Sequence, residues 1–231
     1  MLKLKVLANP RHPDLEKFKQ LTEKVGKSSC YDTDLPFTRE EHSEWHNGME
    51  RGERRVMLAF IGDELVGTGS IIKGSLAYLP SNGTAKLNVV SGSDITACFV
   101  VSEYRRKGIY KKIFEAAVEM SKEPYVSVST GQSAYQRTNP ILSRLLDIPY
   151  DELKDIATVV LFDKFKLLEG RQLDPEDMAV LRKVIVDGVN PNSIAVKVVA
   201  EKLVGQGRAT FLGYSVDGAE PIYKIISYGS L

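Results

Sequence analysis

The segment from Ile95 to Thr130 constrains the fold more than any other part of the chain, because it changes from a strand pattern to a helix pattern and back. The apolar run ITACFVV comes first, GIYKKIFEAAVEMSK then carries apolar residues at helical spacing, and the β-rich run YVSVST follows Pro124. A helix of about four turns between two strands is the crossover that makes neighbouring strands parallel. We therefore predict one right-handed βαβ unit here.

Patterns typical of antiparallel strands surround this unit. The stretch RVMLAFIGDELVGTGSII holds two apolar runs around a Gly62-Asp63 turn, which predicts a hairpin. Turn residues at 80–83 and at 91–93 divide the next stretch into strands. KLKVL near the start and IATVVLF after residue 155 also have strand character, and ATFLGYSVDGAEPIYKIIS predicts a closing hairpin around Asp217-Gly218.

Helical patterns flank the strands. DLEKFKQLTEKVG begins at a capping Asp14 and ends at Gly26, and TREEHSEWHNGMERG has Thr38 and Glu41 at the spacing of a capping box. The stretch NPILSRLLDIPYDELKD predicts a helix broken near Pro149, and DPEDMAVLRKVIVDG and NPNSIAVKVVAEKLVGQG predict two more. The predicted fold class is α/β, in the form of an α+β mixed sheet. We expect a single domain over residues 1–231, with a core of about 1–162, a helical addition of about 165–207 and a closing hairpin of about 208–231.

Composition narrows the class of protein. Lys plus Arg total 31 against 30 Asp plus Glu, so the chain lacks the bulk positive charge of a non-specific nucleic-acid binder, and nucleic acid is an unlikely partner. No run approaches the roughly 20 apolar residues of a membrane span. The cysteines are Cys30 and Cys98, and the start MLKLKVLANP alternates before it meets proline. We expect a cytoplasmic protein without a membrane segment; the oligomeric state is left open.

The stretch EYRRKGIY places Arg105, Arg106 and Lys107 before Gly108, where the predicted strand gives way to the predicted helix. A helix amino terminus presents unpaired N–H groups and the positive end of the helix dipole, which favour phosphate. Gly108 would let the backbone approach an anion closely. Two interpretations remain open: an anion site, or a solvated basic loop that caps a helix.

This turn and its flanks resemble motif A of the GNAT N-acetyltransferase superfamily, in which Arg or Gln, two residues, Gly, one residue and then Gly or Ala link the fourth strand to a helix. Here that element is Arg105-Arg106-Lys107-Gly108-Ile109-Tyr110, with a tyrosine in the last position. The resemblance covers about residues 54–150, from the hairpin IGDELVGTGSI to Asn139. It implies a GNAT-like fold: a central, mostly antiparallel sheet, one parallel strand pair around the motif A helix, flanking helices and a C-terminal helical addition.

The resemblance also implies a ligand and a reaction. In the family, the motif A loop holds the pyrophosphate of acetyl-CoA, which would be the co-substrate here. The residues implied in that contact are Arg105, Arg106, Lys107, Gly108, Ile109 and Tyr110. Main-chain groups of Phe99, Val100 and Val101 would contact the acetyl and pantetheine groups, and Asn139 joins the cofactor-binding set. The implied activity is transfer of an acetyl group to a primary amine of a small molecule or protein, directly in a ternary complex; the alternative is a non-catalytic GNAT-like acyl-CoA-binding or regulatory module.

Two positions are candidates for proton transfer. Asp94 lies eleven residues before Arg105, the spacing at which some family members place a glutamate base, and strand alternation predicts its carboxylate on the same face as Thr96 and Cys98. The alternative is that SGSD forms a polar turn. Leu146 stands where many relatives have the tyrosine that protonates the leaving thiolate. Tyr150 is therefore the candidate acid, with Tyr135 as a second possibility.

Other chemistry-bearing residues receive simpler interpretations. His42 and His46 are four apart without a third ligand, which predicts surface histidines and no metal site. Cys98 in an apolar strand is typical of a core residue. The resemblance also implies an acceptor pocket made by the first helices and the last strands. Acidic residues in those parts would favour a cationic amine if they face the cleft, and would mean nothing if they are solvated; they are Asp32, Asp34, Glu40, Glu41, Glu44, Asp217 and Glu220.

Overall fold

The computed structural model describes residues 1–25, 39–128, 132–156, 158–187 and 191–226. Within these ranges the strands are β1 Leu2–Leu7, β2 Arg54–Ile61, β3 Glu64–Pro80, β4 Asn88–Val100, β5 Tyr125–Val128, β6 Ala209–Ser215 and β7 Pro221–Ile225. The α-helices are α1 Asp14–Val25, α2 Arg39–Glu50, α3 Ile109–Ser121, α4 Gln132–Leu146, α5 Tyr150–Asp155, α6 Thr158–Lys164, α7 Pro175–Asp187 and α8 Pro191–Gly205. Short 3₁₀ helices cover Ser102–Tyr104 and Phe165–Leu168.

All of these strands belong to one mixed sheet in the order β1-β2-β3-β4-β5-β7-β6. The pairing of β4 with β5 is parallel, with Ser93 to Ile95 opposite Val126 to Val128, whereas the other described strand pairs are antiparallel. Helix α3 provides the connection between the two parallel strands. The predicted βαβ unit and the predicted fold class are therefore confirmed.

The end of the long strand β3 also pairs with β6, so the sheet curls back on itself. Tyr78, Leu79 and Pro80 lie opposite Ser215, Tyr214 and Gly213. At Gly213 the backbone has φ +155°, and a Cβ there would lie 2.0 Å from the main-chain oxygen of Leu79. Glycine at this crossing lets the two strands approach. The predicted closing hairpin is therefore part of the central sheet.

Helices cover both faces of the sheet. On one face, α3 and α8 pack over a core that includes Ile113 and Leu203. On the other face, α1 and α2 cover the side of β1 and β2 through Phe18 and Trp45. A separate cluster around Phe162 joins α4, α6 and α7 to the same face beside them. No helix within the described ranges is both long and apolar enough to cross a lipid bilayer.

Three local predictions were wrong. The run TVVLF lies in helix α6, because Phe162 of this run packs onto Gly74 of β3. A Cβ added at Gly74 would lie 2.6 Å from the Cβ of Phe162. The predicted turn at 91–93 lies inside β4: Gly92 serves close packing, since a Cβ there would meet Leu76 at 2.6 Å. Helix α4 begins at Gln132, so Asn139 lies in mid-helix. Helix α1 begins at Asp14 as predicted; Gly26 and Thr38 lie outside the described residues.

Candidate functional site

The end of β4 extends past its described pairing with β5. Their described pairing ends at Ile95 and Val128, but β4 continues to Val100. Just beyond the pairing, residues 97 and 98 lie together opposite Gly69, which forms a β-bulge. In the described part of the chain, the β5 side of this strand end can therefore offer backbone hydrogen-bonding groups to a ligand.

Of the three residues predicted to contact a thioester, Val101 is the most engaged with the protein itself. Its N–H donates to Val66 O at 2.9 Å, and its C=O accepts the N–H of Tyr104 at 2.9 Å. The geometry therefore favours Phe99 and Val100 for main-chain contacts with a ligand.

The basic turn follows immediately and exposes a helix amino terminus. The Arg106 backbone is left-handed, with φ +62°, and Gly108 has φ +75° at the N-cap of α3. No side chain caps α3, so the N–H groups of its first turn point into the loop. The side chains of Arg105, Arg106 and Lys107 are exposed around these N–H groups. Backbone donors, the helix dipole and three cations thus converge at one surface.

Side-chain contacts anchor the turn to the sheet. The Nε of Arg105 donates to Val100 O at 3.0 Å, which ties the turn to the end of β4. The hydroxyl of Tyr104 donates to Glu64 Oε2 at 2.6 Å, and Lys107 Nζ lies 4.8 Å from the centre of the Tyr104 ring. The hydrogen bond with Glu64 raises the pKa of the Tyr104 hydroxyl. The turn is therefore fixed to both β4 and the β2–β3 hairpin.

Tyr110, the departure from the motif, turns toward the sheet. Its side chain packs on the α3 core and hydrogen-bonds with the thiol of Cys98. The phenol thus leaves the loop side of the helix terminus open. Burial, with a smaller contribution from the charge of Asp94, raises the pKa of the Cys98 thiol to about 12, so this thiol is a core group and not a nucleophile.

Cys98 lies on the α3 side of the sheet, whereas Asp94 lies on the opposite side. The register partner of Asp94 is Ile72, which belongs to the core around Phe162. The prediction that Asp94 and Cys98 share a face was therefore wrong, because the bulge at residues 97 and 98 interrupts the alternation of side chains. Asp94 also lies within β4, not at its start.

Asp94 is enclosed by polar partners. It is 3% exposed, and the Oγ of Ser127 on β5 donates to its Oδ1 at 2.7 Å. Burial raises the pKa of Asp94 to about 6; the Ser127 hydrogen bond, the positive charge of Arg54 and a hydrogen bond with Glu220 oppose that rise. The alternative, that SGSD forms a polar turn, does not hold, because these residues lie within β4.

Two further carboxyl groups reach this site from the β6–β7 connection. Asp217 is 4% exposed and Glu220 is 1% exposed, so neither is a solvated turn residue. Burial raises the pKa of Asp217 to about 7, a hydrogen bond with Ser215 lowers it, and the charge of Asp94 raises it. We call Arg54, Asp94, Ser127, Asp217 and Glu220 the carboxyl cluster.

Sequence reasoning missed Arg54 and Ser127. Arg54 begins β2, is 3% exposed, and its guanidinium carbon lies 5.5 Å from the centre of the Trp45 ring. The adjacent Arg55 has the same side chain but takes no part in the carboxyl cluster. Nothing in the sequence around these two arginines distinguishes one from the other. Both missed residues meet Asp94 through strand pairing.

A cavity of about 670 Å³ opens between α1 and α2. Phe18, Trp45 and Val56 form its apolar floor, and His46 lies at its rim. Trp45 lines the cavity and also lies under Arg54, so one side chain is shared by the cavity and the carboxyl cluster. The acceptor pocket was expected between the first helices and the last strands, and these two features lie in those parts of the fold.

The remaining predicted residues lie elsewhere. Tyr150 is the first residue of α5 and is 36% exposed, and Leu146 packs into the core around Phe162. Asn139 is half-buried. Glu44 lies in α2, as do Glu40, Glu41 and His42, whose side chains are not described; the side chain of Tyr135 in α4 is likewise not described, and Asp32 and Asp34 lie outside the described ranges. Within those ranges, no group of three or more His, Cys, Asp or Glu residues could hold a metal ion.

Comparison with known proteins identifies the fold. The sequence matches no protein-family model and no curated protein. An acetyltransferase of the GNAT family from Streptococcus agalactiae matches over 99% of this chain and 96% of its own, with a TM-score of 0.50 and 9% identity. A predicted acetyltransferase with acetyl-CoA from Clostridium acetobutylicum covers 57% of this chain and 82% of its own, with a TM-score of 0.42 and 11% identity.

A GCN5-related N-acetyltransferase from Kribbella flavida matches over 59% of this chain, with a TM-score of 0.36 and 13% identity. This chain spans about a third of that protein, since the match covers 33% of its length. The full-length likeness to the Streptococcus agalactiae protein shows that this chain has the fold of the GNAT acetyltransferases.

Proposed function

We propose that the protein is an N-acetyltransferase that transfers the acetyl group of acetyl-CoA directly to a primary amine of a small molecule or protein. One observation carries this proposal: the amino terminus of α3, which no side chain caps and which three cations surround, lies directly beyond the part of β4 that extends past its described pairing with β5. We call the first-turn N–H groups of α3, together with the cations of the basic turn, the anion seat. A diphosphate would fit this seat, and an extended amide-bearing arm would fit the neighbouring end of β4.

The residues present suit acetyl-CoA. The first-turn N–H groups of α3 and the side chains of Arg106 and Lys107 would bind the pyrophosphate, while Phe99 and Val100 would offer main-chain groups to the pantetheine arm. Arg105 would act chiefly by holding the turn against Val100. When bound, acetyl-CoA supplies an activated acyl group. Tyr110 favours the fit because its phenol turns toward Cys98 and away from the anion seat.

Asp94 is the proposed base. An acceptor amine must lose a proton to attack a thioester, and a carboxylate with a raised pKa is suited to accept that proton near neutral pH. Since Asp94 is 3% exposed, the proton would pass through the Ser127 hydroxyl or a water molecule. The cavity between α1 and α2 is the candidate acceptor pocket. Tyr150 stays the candidate acid and Asn139 a candidate ligand contact.

The second candidate is a module that binds acyl-CoA without turnover. The enclosure of Asp94 and the presence of Leu146 at the position of the family tyrosine favour it. Both candidates require the anion seat, so binding and turnover must be measured separately.

The test uses Arg106→Glu and Lys107→Glu, with Lys183→Glu on α7 as the control of matched charge change. Isothermal titration calorimetry should show that each loop variant weakens acetyl-CoA binding by at least about tenfold, as expected for reversal of a charge beside a phosphate, while the control binds like the unaltered protein. Thiol release with a panel of amines then separates the two candidates. Equal affinity in all three variants would refute the anion seat, and binding without thiol release for any amine would favour the module.

A further inference from the structure

We propose that Ser127 is a positioning residue for Asp94: its hydroxyl reaches across the parallel pair of β4 and β5 and holds the Asp94 carboxylate in the orientation in which it accepts a proton. This inference rests on the proposed function for the part that Asp94 plays in acetyl transfer. The bond between the two side chains belongs to the folded protein, so it can be tested without acetyl-CoA or an amine.

Strand register brings Ser127 and Asp94 together. They are direct partners in the parallel pairing of β4 with β5, next to the last described pair, Ile95 with Val128. Val126 and Val128, on either side of Ser127, belong to the core beneath α3. Because side chains alternate along a strand, Ser127 points to the opposite side of the sheet, where Asp94 also lies.

The contact between these two side chains is short and buried. The Oγ of Ser127 donates to Oδ1 of Asp94 at 2.7 Å, and the two residues are 1% and 3% exposed. On its other side, Ser127 is paired with Ile222 of β7, which is fully buried and apolar. A hydroxyl that faces an ionised carboxylate must be the donor, because that carboxylate has acceptors only.

The charged and titratable groups around Asp94 come from other parts of the sheet. Arg54 on β2 adds a positive charge, and Asp217 and Glu220 from the β6–β7 connection add two acids. Ser127 differs from these acids because its hydroxyl does not titrate in the same range. It can therefore donate to the ionised form of Asp94 at every pH at which that form exists.

A hydroxyl that donates to a buried carboxylate has two effects. The bond stabilises the ionised form, so it lowers the pKa of Asp94 and opposes the rise that burial causes. It also fixes the direction of Oδ1, because rotation of the carboxylate would break a short hydrogen bond to a charged group. Ser127 therefore influences both the pH range in which Asp94 can act as a base and the direction of its oxygen atoms.

Carboxyl-carbon NMR tests the contact without a substrate. In an Asp217→Asn background, which removes a neighbour that titrates in the same range, Ser127→Ala should raise the pKa of Asp94 by about one to two units. Ser127→Thr keeps the hydroxyl and should restore the lower pKa. Asp94→Asn identifies the signal of Asp94.

The matched control is Ser93→Ala, at a serine in the same pair of strands. Ser93 is the register partner of Val126, is fully buried, and its hydroxyl has no hydrogen-bond partner among the described residues. The control removes the same atom from an equally buried site and should leave the pKa of Asp94 unchanged. An unchanged pKa in Ser127→Ala, or an equal change in Ser93→Ala, would overturn the proposal. If Ser127→Thr does not fold, the two alanine variants still decide.

Kinetics test the positioning role once an acceptor is found. In Ser127→Ala the acid limb of the kcat/KM profile should move to higher pH by the same amount as the pKa, and kcat at pH 7 should fall about tenfold, with a smaller change in KM. Ser127→Thr should restore both. A lower midpoint of urea denaturation with an unmoved acid limb would overturn the positioning role. If no amine gives thiol release, the acetyltransferase proposal fails, while the NMR result still decides the contact between Ser127 and Asp94.

Discussion

Asp217 is a buried carboxyl group, and its ionisation destabilises the folded state. Burial raises its pKa to about 7 from an ordinary value of 3.8. Below about pH 4 both the folded and the unfolded protein hold this proton, so burial of the neutral acid incurs no ionisation penalty. As the pH rises to 7 the unfolded chain loses the proton first, and the relative stability of the folded state falls.

Asp217→Asn should therefore stabilise the protein in a pH-dependent way. The amide can still accept the hydrogen bond from Ser215 but cannot ionise. We expect little difference in the free energy of unfolding at pH 4, and a gain of roughly 4 kcal/mol at pH 8, the energy that corresponds to a pKa difference of about three units. Urea denaturation at pH 4, 6 and 8 measures it. Asp63→Asn at the exposed β2–β3 turn is the control; a gain that does not grow with pH would contradict the prediction.

At this scale the sequence predicted Asp94 but not its partners. The spacing between Asp94 and the basic turn is local and can be counted. Arg54, Ser127 and Glu220 meet Asp94 only because β2, β5 and β7 pair in one register, and no pattern in their own neighbourhoods reports that pairing. Tyr110 shows the converse: its identity was evident, but its direction depends on Cys98 on β4, on the same side of the sheet.

One contact between residues far apart in the sequence helps to fix the shape of the basic turn. Tyr104 bonds to Glu64 on the neighbouring hairpin while its ring supports Lys107. This arrangement fixes the conformation of the turn without a ligand, which would reduce the entropy lost on binding in the proposed complex with acetyl-CoA.

Tyr104→Phe should release the turn while preserving its charge. The ring remains under Lys107, but the bond to Glu64 is lost. We expect acetyl-CoA to bind severalfold more weakly because it dissociates faster. Thermal stability should change little. Stopped-flow measurement of association and dissociation checks this. Tyr125→Phe, on β5, serves as the control for binding; an unaltered dissociation rate for Tyr104→Phe would show that the contact does not hold the turn.

Elements with strong periodicity were predicted correctly, and those set by tertiary packing were not. Helix α3 has apolar residues at regular helical spacing and begins directly after its N-cap, Gly108. Helix α6 has the sequence TVVLFDK, which favours a strand by propensity. The site on β3 where Phe162 packs at Gly74 is far away in sequence, so propensity alone could not indicate it.

At the scale of the whole molecule, the contact between β3 and β6 closes the sheet. Gly213→Ala should open it, because the added Cβ would lie 2.0 Å from a fixed carbonyl oxygen and the backbone has φ +155°. We expect a loss of at least about 3 kcal/mol in the free energy of unfolding, measured by urea denaturation. Gly205→Ala at the end of α8 meets no atom within 4 Å and should be nearly neutral. Similar values for both variants would contradict the role of the crossing.

The position of β6 and β7 has a consequence for synthesis on the ribosome. The anion seat and the end of β4 lie in the middle of the chain, but Asp217 and Glu220 are translated much later. A nascent chain can therefore present a basic turn while Asp94 still lacks its acidic neighbours and β5 lacks β7. Assembly of the cluster must wait for the last hairpin, so the carboxyl cluster is complete only when the sheet is complete.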